Sequence, residues 1–185
     1  MATIYTFNNE TDAGTLASGD KLLVYDVSAG RTRSTTVGQI ITDAAAVVST
    51  TATTIAVTAA THGNRTLLIN SAAPAVVTLP AASGTGTRYR FVIGVAATAT
   101  ETTIKVANAT DVMRGYVFAV TTSSDNAEAF KTSATSDAIE LNGTTKGGLP
   151  GDVFELVDVA TGIWSVLGFT APTGSEVTPF AAEVS

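Results

Sequence analysis

From Thr53 onward the sequence is a succession of short runs rich in Val, Ile, Thr and aromatic residues, nearly every gap between them punctuated by turn-forming residues. The runs cover 54–59, 65–70, 75–79, 87–95, 103–107, 112–121, 127–132, 138–142, 153–159 and 163–169. β-Branched side chains have few χ1 choices and pack well on a pleated surface, so runs of this kind favour strands. Strands this short and this regularly spaced predict an all-β fold, an antiparallel β-sandwich or barrel.

Alternation within the runs assigns faces. In Arg88-Tyr89-Arg90-Phe91 charge and ring alternate with period two, which reads as one face in and one face out. The same interleaving is a known way to stack and neutralise a nucleic-acid strand. A net charge of −6 and a pI of about 4.6 oppose that use, because phosphate neutralisation needs clustered Lys and Arg. No nucleic-acid partner is expected.

The first fifty residues are patterned differently. Met1 to Ala17 opens on Thr-Ile-Tyr-Thr-Phe and turns polar at Asn8 to Asp12, too short a segment to bury itself, and reads as an arm. Lys21 to Asp26 and Arg31 to Thr35, on either side of Val27-Ser28-Ala29-Gly30, predict a hairpin. Val37, Ile40, Ile41, Ala44, Ala45 and Val48 recur at three- and four-residue steps behind Thr35 or Thr36 as an N-cap, which predicts one short amphipathic helix. The expected organisation is therefore an arm, hairpin and helix over 1–50, a β-domain over 51–170, and an extended tail over 171–185 that carries Pro172 and Pro179.

Chemistry is sparse. The chain has no Cys, so no disulfide framework or thiolate metal site is expected. Its start lacks a basic segment followed by an apolar run, and no stretch reaches the roughly 18 apolar residues of a membrane helix, so a cytoplasmically made chain with no membrane partner is expected. His62, the single histidine, lies in the turn-like Ala60 to Asn64. Neither Asn8 to Asp12 nor Asp125 to Glu128 has the spaced carboxylates and central Gly of a calcium loop. Ser83-Gly84-Thr85-Gly86-Thr87 leads into a strand, whereas a phosphate loop opens a helix, so it reads as a hairpin turn. Asn-x-Thr triplets at Asn9, Asn64, Asn108 and Asn142 arise easily in a Thr-rich chain. Trp164 is expected in a core or interface, with a sugar-stacking platform in a carbohydrate-binding module as the alternative. No catalytic, cofactor-binding or metal-binding residue is expected, and the chain reads as a non-enzyme.

Charged residues make up only 14% of the chain against 45% hydrophobic, little solvated charge to cover a monomer, which suggests surface meant for partners. The segment Gly19-Asp20-Lys21-Leu22-Leu23-Val24-Tyr25-Asp26 through Gly30-Arg31-Thr32-Arg33 to Gln39-Ile40 resembles one common in tailed-bacteriophage structural proteins. Val77 to Ala82 leading into Tyr89-Arg90-Phe91, and Gly151 to Val157 through Gly162-Ile163-Trp164, are similar to phage virion β-domains. The resemblance implies a capsid decoration (cement) protein: a homotrimer on the outer surface of the phage head, bound to the major capsid protein, with the N-terminal arm reaching the shell. Ile4, Tyr5, Phe7 and Leu16 are then the expected capsid contacts. Fibres share such modules, so a tail-fibre, baseplate or head-fibre component is the alternative that the resemblance leaves open.

Overall fold

The computed structural model describes residues 21–26, 30–36, 46–97, 100–121 and 127–184. The expected contacts Ile4, Tyr5, Phe7 and Leu16 and most of the expected helix (37–45) lie outside the described residues. The chain divides into two compact units, Met1–Ala44 and Ala45–Ser185. In the first, β1 (Lys21–Asp26) and β2 (Arg31–Thr36) pair antiparallel from Lys21↔Thr36 to Asp26↔Arg31, the expected hairpin. Gly30 enters β2 at φ 60°, a conformation that glycine adopts without Cβ strain.

The second unit is a two-sheet, all-β sandwich. Its elements are β3 (Val48–Thr50), β4 (Thr54–Ala56), α1 (Ala59–His62), β5 (Arg65–Ile69), β6 (Val76–Thr78), β7 (Arg88–Ile93), β8 (Thr102–Lys105), β9 (Val112–Val120), β10 (Ala127–Lys131), β11 (Ala138–Leu141), β12 (Val153–Ala160), β13 (Ile163–Thr170) and β14 (Phe180–Ala181). One sheet has seven strands in the order β10-β9-β13-β12-β7-β5-β3, and the other five in the order β14-β11-β8-β6-β4.

The pairing is mixed, not wholly antiparallel. From β3 to β8 the chain alternates between the sheets, so each strand pairs with the strand two places earlier and runs parallel to it. Residues 48–105 thus wind as a coil of two strands per turn. After β8 some chain neighbours pair directly and antiparallel, β9 with β10 and β12 with β13, while β13 lies parallel to β9.

Winding stacks like upon like. On the inner face of the larger sheet Val48, Leu67, Phe91 and Phe154 are successive cross-strand neighbours. On the smaller sheet Ile55, Val77, Ile104, Ile139 and Phe180 are. Phe91, Phe154, Ile104 and Ile139 are fully buried, and each such side chain contributes roughly 1.5–3 kcal/mol. The next residue along the first row is Gly168, where a Cβ would stand 2.7 Å from the Phe154 ring, so its missing side chain makes room for that ring.

Two expectations change. Val48 begins β3 instead of ending a helix, because its cross-strand partner Leu67 offers it a place in the sheet. The segment expected as an extended tail supplies β14, an edge strand on β11. Among the described residues no helix is long and apolar enough to cross a membrane.

Candidate interaction face

A sandwich strand normally turns apolar side chains inward and polar ones to water. Across the outer face of the seven-stranded sheet that rule fails along a whole row. Ala129, Phe118, Phe169, Val153, Val92 and Leu68 are successive cross-strand neighbours on β10, β9, β13, β12, β7 and β5. Phe118 and Phe169 stack with ring centroids 5.7 Å apart and planes 19° from parallel, yet are 37% and 53% exposed. Tyr116 and Leu167 pair in the adjacent row, and Val120 stands beyond Phe118, all three exposed. A contiguous apolar patch of this kind marks a surface that another molecule covers.

The charges around it are sorted. Among the described residues Arg88, Arg90, Arg114 and Lys131 lie on this face against a single carboxylate, Glu155, which meets Arg88 Nε at 3.5 Å. In a chain of net charge −6 this is a locally basic surface. Arg114 donates to the carbonyls of Met113, Ser133 and Ala134 at 3.0–3.1 Å, which fixes the segment after β10 against β9. An open cavity of about 660 Å³ lies there, between Arg114, Tyr116, Lys131 and Ser165. A smaller one of about 240 Å³ lies between Arg90, Glu155, Leu167 and Phe169.

Buried aspartates hold the loops of the sandwich. Asp158 accepts the amides of Ser83, Gly84 and Thr85 and the hydroxyls of Ser83 and Thr85. Burial alone would raise its pKa, but the bonds from Gly84, Thr85 and Ser83 outweigh it and hold the carboxyl below the usual range. Asp152 accepts the amides of Gly148, Leu149 and Ala171. There burial wins, and its pKa rises despite those three bonds. Asp111 holds the amide of Ala82, and Asp137 those of Glu183 and Val184.

The residues singled out in the sequence fall mostly into structural roles. His62 Nδ1 accepts the Thr58 amide at 3.1 Å, so one ring nitrogen closes the turn of α1. The Ser83 to Thr87 loop is no hairpin turn: it crosses from β6 in one sheet to β7 in the other. It does cradle an anion with consecutive amides, but the anion is the chain's own Asp158. Arg88 and Arg90 face out while Tyr89 and Phe91 face in, as the alternation predicts. Asn108 and Asn142 each accept a backbone amide two residues on, the turn-forming use of Asn. Trp164 is completely buried, edge-on to Tyr89 at 5.6 Å, so its ring offers no face to a sugar and the carbohydrate-platform reading loses its residue.

Tyr116, Phe118, Leu167 and Phe169 were inside expected strands but were not expected as a surface. The signal was present: Tyr116-Val117-Phe118-Ala119-Val120 and Val166-Leu167-Gly168-Phe169 have no polar residue at either parity, unlike a half-exposed strand. No protein-family model matches the chain, and no curated protein matches it.

Proposed function

We propose that this chain is a virion structural protein of a tailed bacteriophage: a capsid decoration (cement) protein, not an enzyme. It binds the outer surface of the head as a homotrimer and bridges neighbouring major capsid subunits. The observation that supports the reading is the apolar row from Ala129 to Leu68, exposed at Ala129, Phe118 and Phe169 and half-buried at Val153, Val92 and Leu68, on the outer face of the sandwich, which suits a subunit that works inside an assembly. The phage-like segment Gly19 to Ile40 supports the virion setting. An N-terminal arm bearing Ile4, Tyr5, Phe7 and Leu16 covers capsid surface, and three linked arms raise avidity about 10²- to 10⁴-fold over one. The protein is made in the host cytoplasm and resides on the capsid surface.

A cryo-electron microscopy map of virions of the source phage tests this. Density for the sandwich over the head lattice is expected, and density on the tail alone would overturn it. One observation favours a second reading, a tail-fibre, baseplate or head-fibre component: the parallel coil from β3 to β8 is of a kind that lengthens by adding turns, as a shaft does. The same map separates the two.

A further inference from the structure

We propose that the outer face of β9 and β13 is where copies of this chain meet, packed around an axis parallel to those strands, with Lys131 of each copy against Glu155 of the next. This rests on the homotrimer reading and assigns it a surface.

The two rows of the face carry the argument. The upper row places Phe118 and Phe169 at its centre, with Ala129 on the β10 flank and Val153 on the β12 flank. In the lower row Tyr116 and Leu167 are central, with Lys131 on the β10 flank and Glu155 on the β12 flank. The flanks are therefore complementary to each other, not to themselves: a cation faces a carboxylate at one level, and Ala faces Val at the other. A contact between unlike flanks is heterologous, and heterologous contacts form a ring where the rotation closes, as a homotrimer requires. Rotation about an axis along the strands keeps the levels matched, so apolar row meets apolar row while Lys131 meets Glu155.

Three such faces enclose a prism filled by the aromatic and leucine side chains. The contact also covers the free side of β10, the edge strand of the sheet, which otherwise presents unpaired backbone groups to water. Among the described residues Lys131 has no ion-pair partner within its own copy, and Glu155 has only Arg88.

The full-length chain tests this directly. Sedimentation velocity of the wild type is expected to show three chains of 18.7 kDa each. Phe169→Glu, at an exposed position, is expected to keep its circular dichroism but to weaken association by about 30-fold or more. The chain has no cysteine, so Lys131→Cys with Glu155→Cys introduces the only thiols. Within one copy the two sites are three strand spacings apart, about 14 Å, too far for a disulfide. Mild oxidation is therefore expected to lock three chains covalently, and neither single variant does so. A monomeric or dimeric wild type, a Phe169→Glu trimer as stable as wild type, or a trimer whose cysteine pair stays reduced would each overturn the assignment. Binding to heads stripped of the protein keeps the readings apart: a monomer that still binds heads overturns only the face, whereas a cross-linked trimer absent from heads overturns only the decoration role.

Discussion

The Asp158 carboxylate accepts the Gly84 amide at 2.6 Å across 74 positions of sequence, and the amides of Ser83 and Thr85 at 2.9 and 3.1 Å share its two oxygens. One side chain thus pins the loop between the two sheets to the bulged end of β12, where the register shifts between Asp158 and Ala160.

Its ionisation is tied to stability. The folded pKa lies below the ordinary value of about 3.9, so the carboxylate contributes fully above that value and its contribution is lost as pH falls through it toward the folded pKa. Asp158→Asn is expected to cost about 1–3 kcal/mol at pH 7 and to flatten the fall in urea midpoint below pH ~4. An unchanged slope would count against the assignment.

Asp137 fastens the other end of the chain. Its oxygens accept Glu183 N at 2.6 Å and Val184 N at 3.1 Å, beside a β14 that pairs only two residues with β11. Asp137→Ala is expected to cost about 1–3 kcal/mol and to speed amide exchange over residues 180–184 while β12 and β13 keep theirs. Retained protection at 180–184 would show that the edge strand holds by itself.

Two glycines separate local strain from crowding. Gly86 sits at φ 72° with open space where a Cβ would go, so Gly86→Ala is expected to cost only the left-handed penalty, about 1–2 kcal/mol. Gly115 sits at φ 153° with a Cβ site 1.8 Å from the Val166 carbonyl oxygen, inside the parallel β9–β13 ladder. Gly115→Ala is expected to cost about 4 kcal/mol or more, and similar denaturation midpoints for the two variants would refute the distinction.

Trp164 is the only tryptophan and is completely buried, so its fluorescence is expected to be blue-shifted and protected from iodide until the chain unfolds. Its indole N–H has no acceptor among the described residues. Trp164→Ala is expected to cost about 3–5 kcal/mol, and Trp164→Phe clearly less, because Phe brings no donor to leave unpaired. Ready quenching of the folded protein would contradict the burial.

Much of the fold was legible because strand signals are local. The run expected at 65–70 is β5, that at 87–95 contains β7, and that at 153–159 is β12, since alternation and turn residues act within a few positions. β3 was missed because Val48 also fits the three- and four-residue spacing of the expected helix, and β14 because a two-residue strand in a Pro-containing tail carries too little pattern; both exist only where β5 and β11 offer an edge. The parallel coil was illegible for another reason. Val48 meets Leu67 and Leu67 meets Phe91, at unequal separations that leave no sequence repeat to detect.

By itself the sequence determined that the second unit is all-β, where most of its strands lie, and that Tyr89, Phe91 and Trp164 belong to strands with a buried side. Those are consequences of side-chain shape and period-two geometry, which every residue carries with it. Only the tertiary structure decided that Phe118 and Phe169 stand side by side on an outer face, that Lys131 and Glu155 flank the neighbouring Tyr116 and Leu167 at one level, and that Asp158 is the anion in the Ser83–Thr85 cradle. Each depends on which strands become neighbours, and that is settled by burial summed over the whole sandwich, not by any segment alone.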